Sequence, residues 1–264
     1  MTTIDTPAPS TPRIGPSPEA RAPRHLFLNL SLAVTGGTSG LGLALVRELV
    51  GRGARVAFIA RTRDAVRRVA AEHPAAHGIV GDVSNAKDIY PMAVQIIGAL
   101  GKLDVIVNNA SDLGPSPLAL LADTACEDFE RALATNVLGP FRLTKALLGS
   151  LASSARERSG AAVINVSSDA ALNAYPGWGA YSASKAALHH LTRVWHEELA
   201  GEGISVLSFD PGDMDTPLHT AAVPDADRST LKRPEDSARA LADFIGEALT
   251  MRAAAAPWMS GARP

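Results

Sequence analysis

Eight residues, Thr35 to Gly42, reading TGGTSGLG, limit what this chain can fold into. They follow an apolar run, LFLNLSLAV from Leu26, that has the make-up of a buried strand. They precede LALVRELVGRG, whose apolar residues recur at helical spacing. Strand, glycine-rich turn and helix in that order are what a dinucleotide site needs. Gly36 permits the tight turn, Gly40 lets the main chain approach a pyrophosphate, and Gly42 allows close helix–strand packing, while the helix amides and dipole face the phosphates. The spacing is G-x-x-x-G-x-G and not the commoner G-x-G-x-x-G, and the alternative is a glycine loop that serves only the turn.

The rhythm continues along the chain. Strands are predicted over Ala54 to Ala60, at GIVGDV ending on Asp82, over Leu103 to Ala110, over Ala161 to Ser168, and at GISVLSFD ending on Asp210. Helices are predicted between them: Asp64 to Glu72, Ala86 to Leu100, a long one carrying Phe129, Leu133, Val137, Phe141 and Leu148, then Tyr181 to Glu198, and finally Pro234 to Leu249. Alternating strands and helices imply an α/β fold around a parallel sheet, and 264 residues suit one such domain. A net charge of -2 offers no basic surface to nucleic acid or anionic membranes. No run of about 18 apolar residues predicts a membrane span. The start of the chain lacks the apolar core of a secretory signal, and the single cysteine, Cys126, excludes an internal disulfide, so a cytoplasmic location is expected. Residues 1–24, with Pro7, Pro9, Pro12, Pro16, Pro18 and Pro23, have little apolar surface to offset ordering entropy, and read as a disordered extension before a domain over 25–264. Residues 213–233 read as a mobile lid, and the last dozen residues hold at most a short strand.

The end of the second strand bears on cofactor choice. An NAD site usually places a carboxylate there for the ribose hydroxyls, whereas the added phosphate of NADP calls for arginine. Here Ala60 is followed by Arg61 and Arg63, with no carboxylate before Asp64, so NADP(H) is expected over NAD(H). The alternative is that both arginines are solvated helix-end charges. Asp82 ends the third strand, where it either meets an adenine or caps the next helix. Asn108 and Asn109 end the fourth, placed to tie strand ends together or to hold a nucleotide.

The chemistry concentrates in YSASK, Tyr181 to Lys185. Residues four apart share a helix face, and an ammonium beside a phenol favours the phenolate, which lowers the pKa of Tyr181 from about 10 toward neutral. Such a phenol gives a proton to a carbonyl oxygen or takes one from an alcohol. Ser168 falls at a strand's C-terminal end, the edge where open parallel sheets bind ligands. Asn136 lies mid-helix, where Asn is mildly unfavourable, and is either satisfied locally or holds a water. Leu113, Leu172, Tyr175, Trp178 and Leu218 suggest an apolar substrate pocket.

Taken together, TGGTSGLG, Asp82-Val83, the NNA of Asn108 to Ala110, Asn136, Ser168 thirteen residues before Tyr181, YSASK and Pro211-Gly212 resemble the short-chain dehydrogenase/reductase family over roughly Leu26 to Leu249. The resemblance implies a single doubly wound (Rossmann) domain of six or seven parallel strands. It implies Tyr181 as catalytic acid/base, with Lys185 lowering its pKa and holding the nicotinamide ribose. Ser168 would bind the substrate oxygen, and Asn136 a water in a proton relay. It implies cofactor contacts from Gly36, Thr38, Ser39, Gly40, Leu41, Gly42, Arg61, Asp82, Val83, Asn108, Ala110, Tyr181, Lys185, Pro211, Gly212, Met214 and Thr216, and no metal. The expected reaction is hydride transfer between the nicotinamide and a small-molecule carbonyl or secondary alcohol, in a homodimer or homotetramer. A non-catalytic NADP-binding regulator and an NAD-linked enzyme are the alternatives. Three features depart from the family pattern: Ser111 stands where NNAG has its glycine, Asn29-Leu30-Ser31 replaces the usual Gly-Lys entry to the first strand, and no T-G-x…D-G-G segment occurs near the C-terminus.

Overall fold

A computed structural model describes residues 27–158 and 160–250. Six parallel strands form one sheet: β1 (Ser31–Thr35), β2 (Arg55–Ala60), β3 (Ala76–Val80), β4 (Val105–Asn108), β5 (Ala161–Val166) and β6 (Ile204–Phe209). The order β3-β2-β1-β4-β5-β6 is that of a doubly wound fold. The chain winds outward from β1 to β3, then returns to start β4 on the other side of β1. The switch point therefore lies between the C-terminal ends of β1 and β4.

Helices cover both faces, so strands read as continuous apolar runs although their side chains alternate. Leu32, Val34, Val56, Phe58, Val105 and Val107 pack with helices α1 (Gly40–Gly51), α2 (Arg63–Glu72) and α8 (Pro234–Thr250). Ala33, Ala57, Ile59, Ile106 and Val163 point the other way, toward α3 (Ala86–Leu100), α5 (Gly139–Arg158) and Trp195 of α6 (Gly179–Leu199). Helix α4 (Cys126–Leu133) leads into α5 through a π-helical turn at Ala134–Leu138, and the short α7 (Pro217–Ala222) follows β6.

Several boundaries differ from the sequence expectation. The first strand begins at Ser31, not Leu26, because residues 27–30 form a turn in which Leu30 N–H donates to Phe27 O at 3.0 Å and Asn29 takes a left-handed φ of 66°. The third stops at Val80, two residues short of Asp82, and the fourth and fifth stop at Asn108 and Val166. The long helix is interrupted by the π turn that contains Asn136. Segment 213–233 has structure of its own: α7, a bridge between Met214 and Lys232, and a paired Arg228–Asp215 contact at 2.8 and 2.9 Å. Residues 1–24 and the C-terminal tail lie outside the described residues.

One buried polar network fixes how α5 and α6 sit on the sheet. Asn108 Nδ2 donates to Asn165 Oδ1 (2.8 Å) and Thr144 Oγ1 (3.2 Å), Asn165 Nδ2 donates to Thr192 Oγ1 (2.8 Å), and Thr192 Oγ1 donates to Leu188 O (2.7 Å). Each bond contributes about 1 kcal/mol net, but leaving a buried partner unpaired costs about 1–3 kcal/mol, so the network selects one packing of α6.

Candidate active site

The turn after β1 is shaped by what glycine lacks. Gly36 has φ +72°, and a Cβ there would lie 2.9 Å from Asn109 Nδ2 and 3.1 Å from Ala110 Cα. A Cβ on Gly42 would lie 2.2 Å from Gly36 O, so the first turn of α1 packs directly on the loop. A Cβ on Gly40, at φ +49°, would lie 3.2 Å from Thr216 Cγ2. Thr35 pins the turn to the end of β4, its Oγ1 accepting from Asn109 N at 2.9 Å and Ala110 N at 3.0 Å. The α1 N-cap Ser39 is extended and makes no side-chain cap, and no acid occupies the first turn. Leu41 is buried and Thr38 half-buried beside it. An uncapped helix start without a carboxylate, fronted by glycines that leave the main chain bare, fits the phosphates of a dinucleotide.

Arg61 and Arg63 follow β2, both exposed and unpaired among the described residues. Asp82, half-buried after β3, does not cap α3. Its Oδ1 accepts from Ser84 N (2.9 Å) and Ser84 Oγ (2.7 Å), and the cap is Asn85, which accepts from Lys87 N at 3.1 Å. Val83 is buried against Gly139. The Asn108 carboxamide makes the tie between strand ends already described. After β6, Gly212 has φ +70° and its N–H donates to Asp210 Oδ1 at 2.9 Å, while Pro211 O accepts from Ser237 Oγ at 3.0 Å. Met214 is half-buried, and Thr216 is buried with its Oγ1 capping α7 through His219 N.

Tyr181 and Lys185 face the sheet one turn apart on α6, with Tyr181 7% and Lys185 2% exposed. The Ser168 and Ser111 hydroxyls are the polar neighbours that favour ionisation of the Tyr181 phenol. Its ring meets Trp178 edge-on at 5.8 Å and packs with Leu113, Ala170, Leu118 and Ala222. Of the predicted apolar pocket, Leu113 and Trp178 thus reach Tyr181, whereas Leu172, Tyr175 and Leu218 are exposed. Tyr175 Oη donates to Asp169 Oδ2 at 2.7 Å, and Ser168 Oγ donates to Asp169 Oδ1 at 3.1 Å.

The protonation pattern differs from the sequence expectation. Burial pushes the Tyr181 phenol up to about 12, and the Ser168 and Ser111 hydroxyls only partly oppose it. Lys185 does not bring it toward neutral, since its ammonium sits 5.5 Å from the ring centroid and donates to Val166 O at 2.8 Å. Burial also takes Lys185 from 10.5 down to about 8, against the attraction of Asp210. Between those two values the unfolded chain binds more protons than the folded one, so this group's contribution to stability rises with pH there. Relative to Lys185→Met, the wild-type protein is therefore expected to gain up to roughly 3 kcal/mol of stability between pH 8 and 10.5, checked by denaturant unfolding of both proteins across that range.

Asn136 occupies the π turn at 1% exposure, and protein groups satisfy its carboxamide. Oδ1 accepts from Asp112 N (2.8 Å) and Ser111 Oγ (3.2 Å), while Nδ2 donates to Asp112 O (2.7 Å) and Ser184 Oγ (2.8 Å). Ser184 Oγ donates on to Tyr181 O at 2.7 Å. The π turn widens the helix enough to aim Asn136 at the loop after β4 and at α6 together. Ser184 and Asp112 were not singled out from sequence, and Thr35 entered only as the first residue of the glycine-rich motif. Ser184 left a signal, a polar residue on the buried face of YSASK.

A doubly wound sheet with a bare glycine turn at its switch point, and with Ser168 and the buried Tyr181–Lys185 pair at its C-terminal edge, defines a Rossmann-type nucleotide-binding architecture. The chain belongs to the short chain dehydrogenase family, whose model matches residues 31–227. It is 32% identical over 190 residues to 2-(R)-hydroxypropyl-CoM dehydrogenase of Xanthobacter autotrophicus, covering 70% of this chain and 74% of that protein. The crystal structure of 3-ketoacyl-(acyl-carrier-protein) reductase from Brucella melitensis, complexed with NADH, is similar with a TM-score of 0.79 and 26% identity, over 86% of this chain and 95% of that one. A structure from Shigella flexneri complexed with NADP has a TM-score of 0.73 and 25% identity, over 80% and 88% of the two chains. The protein is an oxidoreductase of this family. Among the described residues, no helix is long and apolar enough to cross a membrane.

Proposed function

We propose that this protein moves a hydride between NADP(H) and a carbonyl or secondary alcohol, with Tyr181 as the acid/base. The observation that carries the reading is Tyr181, buried one helical turn from Lys185, whose ammonium donates to Val166 O at the C-terminal end of β5, two residues before Ser168. Relatives named for dehydrogenase and reductase activity, and neighbours complexed with NADH and NADP, support a nicotinamide cofactor.

The residues of the turn, Gly36 through Gly42, would hold the pyrophosphate. Asp82, Val83, Asn108 and Ala110 would border the adenosine, and Pro211, Gly212, Met214 and Thr216 the nicotinamide end. When bound, the nicotinamide supplies or accepts the hydride with its electron pair. In the reductive direction Ser168 binds the carbonyl oxygen, and Tyr181 gives that oxygen its proton. The charge left on Tyr181 is shared by the neighbouring hydroxyls. Lys185, held near 8, is able to exchange a proton near neutral pH and holds the ribose. The Asn136 carboxamide is filled by protein partners, so a relay water would bind its main chain, while the side chain fixes the loop at 111–112 against α6. Leu113, Leu118, Trp178 and Ala222 wall the site beside Tyr181 and favour a ketone with apolar bulk.

Absorbance-monitored oxidation of NADPH and NADH against aldehydes and ketones of graded polarity tests this reading. NADPH is expected to be preferred, with bulky apolar ketones turned over best. Arg61→Ala is expected to raise the KM for NADPH by ~10- to 100-fold, the loss of one charge-assisted phosphate contact, with little change for NADH. Equal loss for both cofactors would remove Arg61 from phosphate recognition. Tight NADPH binding without turnover on any carbonyl would favour a regulator.

A further inference from the structure

We propose that Asp169 is a specificity-determining residue that selects substrates bearing an ammonium on the carbon next to the reacting one: an amino ketone in reduction, a vicinal amino alcohol in oxidation. The inference rests on the reading of Ser168 and Tyr181 as the groups that meet the reacting oxygen.

Asp169 stands between two residues of the site. Ser168 precedes it, and Ala170, which follows, is buried in one cluster with Tyr181 and Leu113. A short turn, Asp169–Ala171, starts here at the end of β5 and holds the main chain in place. Asp169 O accepts from Leu172 N at 2.9 Å, Asn173 N at 3.0 Å and Asn173 Nδ2 at 3.2 Å. The side chain is exposed. Its Oδ1 accepts from Ser168 Oγ at 3.1 Å and its Oδ2 from Tyr175 Oη at 2.7 Å. Both partners are neutral hydroxyls, and a carboxylate has about four acceptor positions, so each oxygen keeps room for another donor. Among the described residues no cation is paired with Asp169. The neighbouring strand end adds acid, not base: β6 runs beside β5, and Asp210 and Asp213 follow it. Lys185 is buried and donates to Val166 O.

Ser168 gives that carboxylate a chemical consequence. Its Oγ accepts from Ala170 N at 3.2 Å, and its single hydrogen is committed to Asp169. A simple ketone must break that bond before Ser168 can donate to its oxygen. An ammonium that donates to Asp169 Oδ1 takes the place of the Ser168 hydrogen, and the hydroxyl turns onto the carbonyl oxygen. The exchange favours the ammonium. At 3.1 Å the bond given up is long for a hydroxyl donor, whereas the bond gained is charge-assisted and about twice as strong as a neutral one. The spacing sets the substrate class. Ser168 Oγ and Asp169 Oδ1 are 3.1 Å apart, which suits an oxygen and a nitrogen on adjacent carbons. Apolar bulk on the other side of the carbonyl meets Leu113 and Trp178 beside Tyr181. In oxidation the carbinol carbon loses its hydrogen with the electron pair to NADP+, and the hydroxyl loses its proton to Tyr181 in its ionised form. The products are the ketone and NADPH, and the ammonium is unaltered.

Four carbinols of similar size differ only in the group on the adjacent carbon. They are 2-amino-1-phenylethanol, 1-phenylethane-1,2-diol, 1-phenylpropan-1-ol and 3-hydroxy-3-phenylpropanoate, which carry an ammonium, a hydroxyl, a methyl and a carboxylate at neutral pH. With NADP+, kcat/KM is expected to be ~10- to 100-fold higher for the amino alcohol than for the methyl compound, with the diol between them and the carboxylate lowest. Asp169→Asn, which keeps the size of the side chain, should erase that ratio. Tyr175→Phe, which removes a hydroxyl but keeps the carboxylate, should retain it. A residue that only stapled the loop would slow all four substrates alike and leave the ratio fixed. Calorimetric titration of the same compounds into the protein with saturating NADPH reads the preference without turnover, and Asp169→Asn should abolish it there too. An unchanged ratio in Asp169→Asn would overturn the proposal, as would its loss in Tyr175→Phe or a wild-type protein that does not bind the amino alcohol. Turnover of all four carbinols without preference would overturn the role of Asp169 and keep the hydride-transfer reading. Selective binding of the amino alcohol with no turnover of any carbinol would overturn the hydride-transfer reading and keep Asp169 as the residue that recognises the ammonium.

Discussion

Tyr181→Phe is expected to lower kcat by ~10²- to 10⁴-fold while the binding of NADPH changes little. The ring is buried against Trp178, Leu113 and Ala170, and phenylalanine keeps those contacts, so only the hydroxyl is lost. The carbonyl oxygen then receives no proton from the protein, and Ser168 alone faces the developing charge. Steady-state rates with the best ketone, set beside NADPH binding measured by fluorescence, separate the two effects. Near-normal turnover would remove Tyr181 from the chemistry. A parallel collapse in binding would instead make it part of the cofactor cradle.

Gly42→Ala carries the second large effect, and it falls on the fold as well as the site. Its Cβ would lie 2.2 Å from Gly36 O and 2.5 Å from Asn109 Nδ2. Main-chain atoms do not swing aside as a side chain does. Gly36 O belongs to the turn proposed to hold the pyrophosphate, and relief comes only by moving α1 away from β1 or distorting the turn. A stability loss of roughly 3 kcal/mol is expected, which lowers Tm by roughly 6–12 °C for a domain of this size. NADPH affinity should fall with it. Gly51→Ala, at the exposed end of the same helix with nothing within 4 Å of the new Cβ, should be neutral or stabilising by about 0.5–1 kcal/mol. Calorimetry of the two variants separates a steric requirement from a general cost of losing glycine. Equal Tm values would refute the close packing of α1 on the turn.

Much of the architecture was legible because it is written in local periodicity. Apolar runs punctuated by TGGTSGLG, NNAS and DPGD mark strand ends, and 3.6-residue stripes mark the helices between them. The count and order of the elements therefore follow from residues close together in the chain. Boundaries were less legible: Asn29 looks like part of an apolar run, yet its left-handed φ ends the turn before β1. The π turn at Asn136 left no local trace, since its pattern in TNVLG is as consistent with an ordinary helix.

The sequence by itself determined the alternating α/β order, the family, and the small set of polar residues — Ser168, Tyr181 and Lys185 among them — set at strand ends and on one helix face. It did so because spacing of three, four or two residues controls which side chains share a face. Only the tertiary structure decided how those groups are tuned. Burial lifts Tyr181 rather than Lys185 lowering it, Val166 O takes the ammonium, and Ser111 and Ser184, 25 and 48 residues from Asn136, complete its carboxamide. Desolvation and hydrogen bonding depend on ångström-scale distances between segments far apart in the chain, and no local pattern records them.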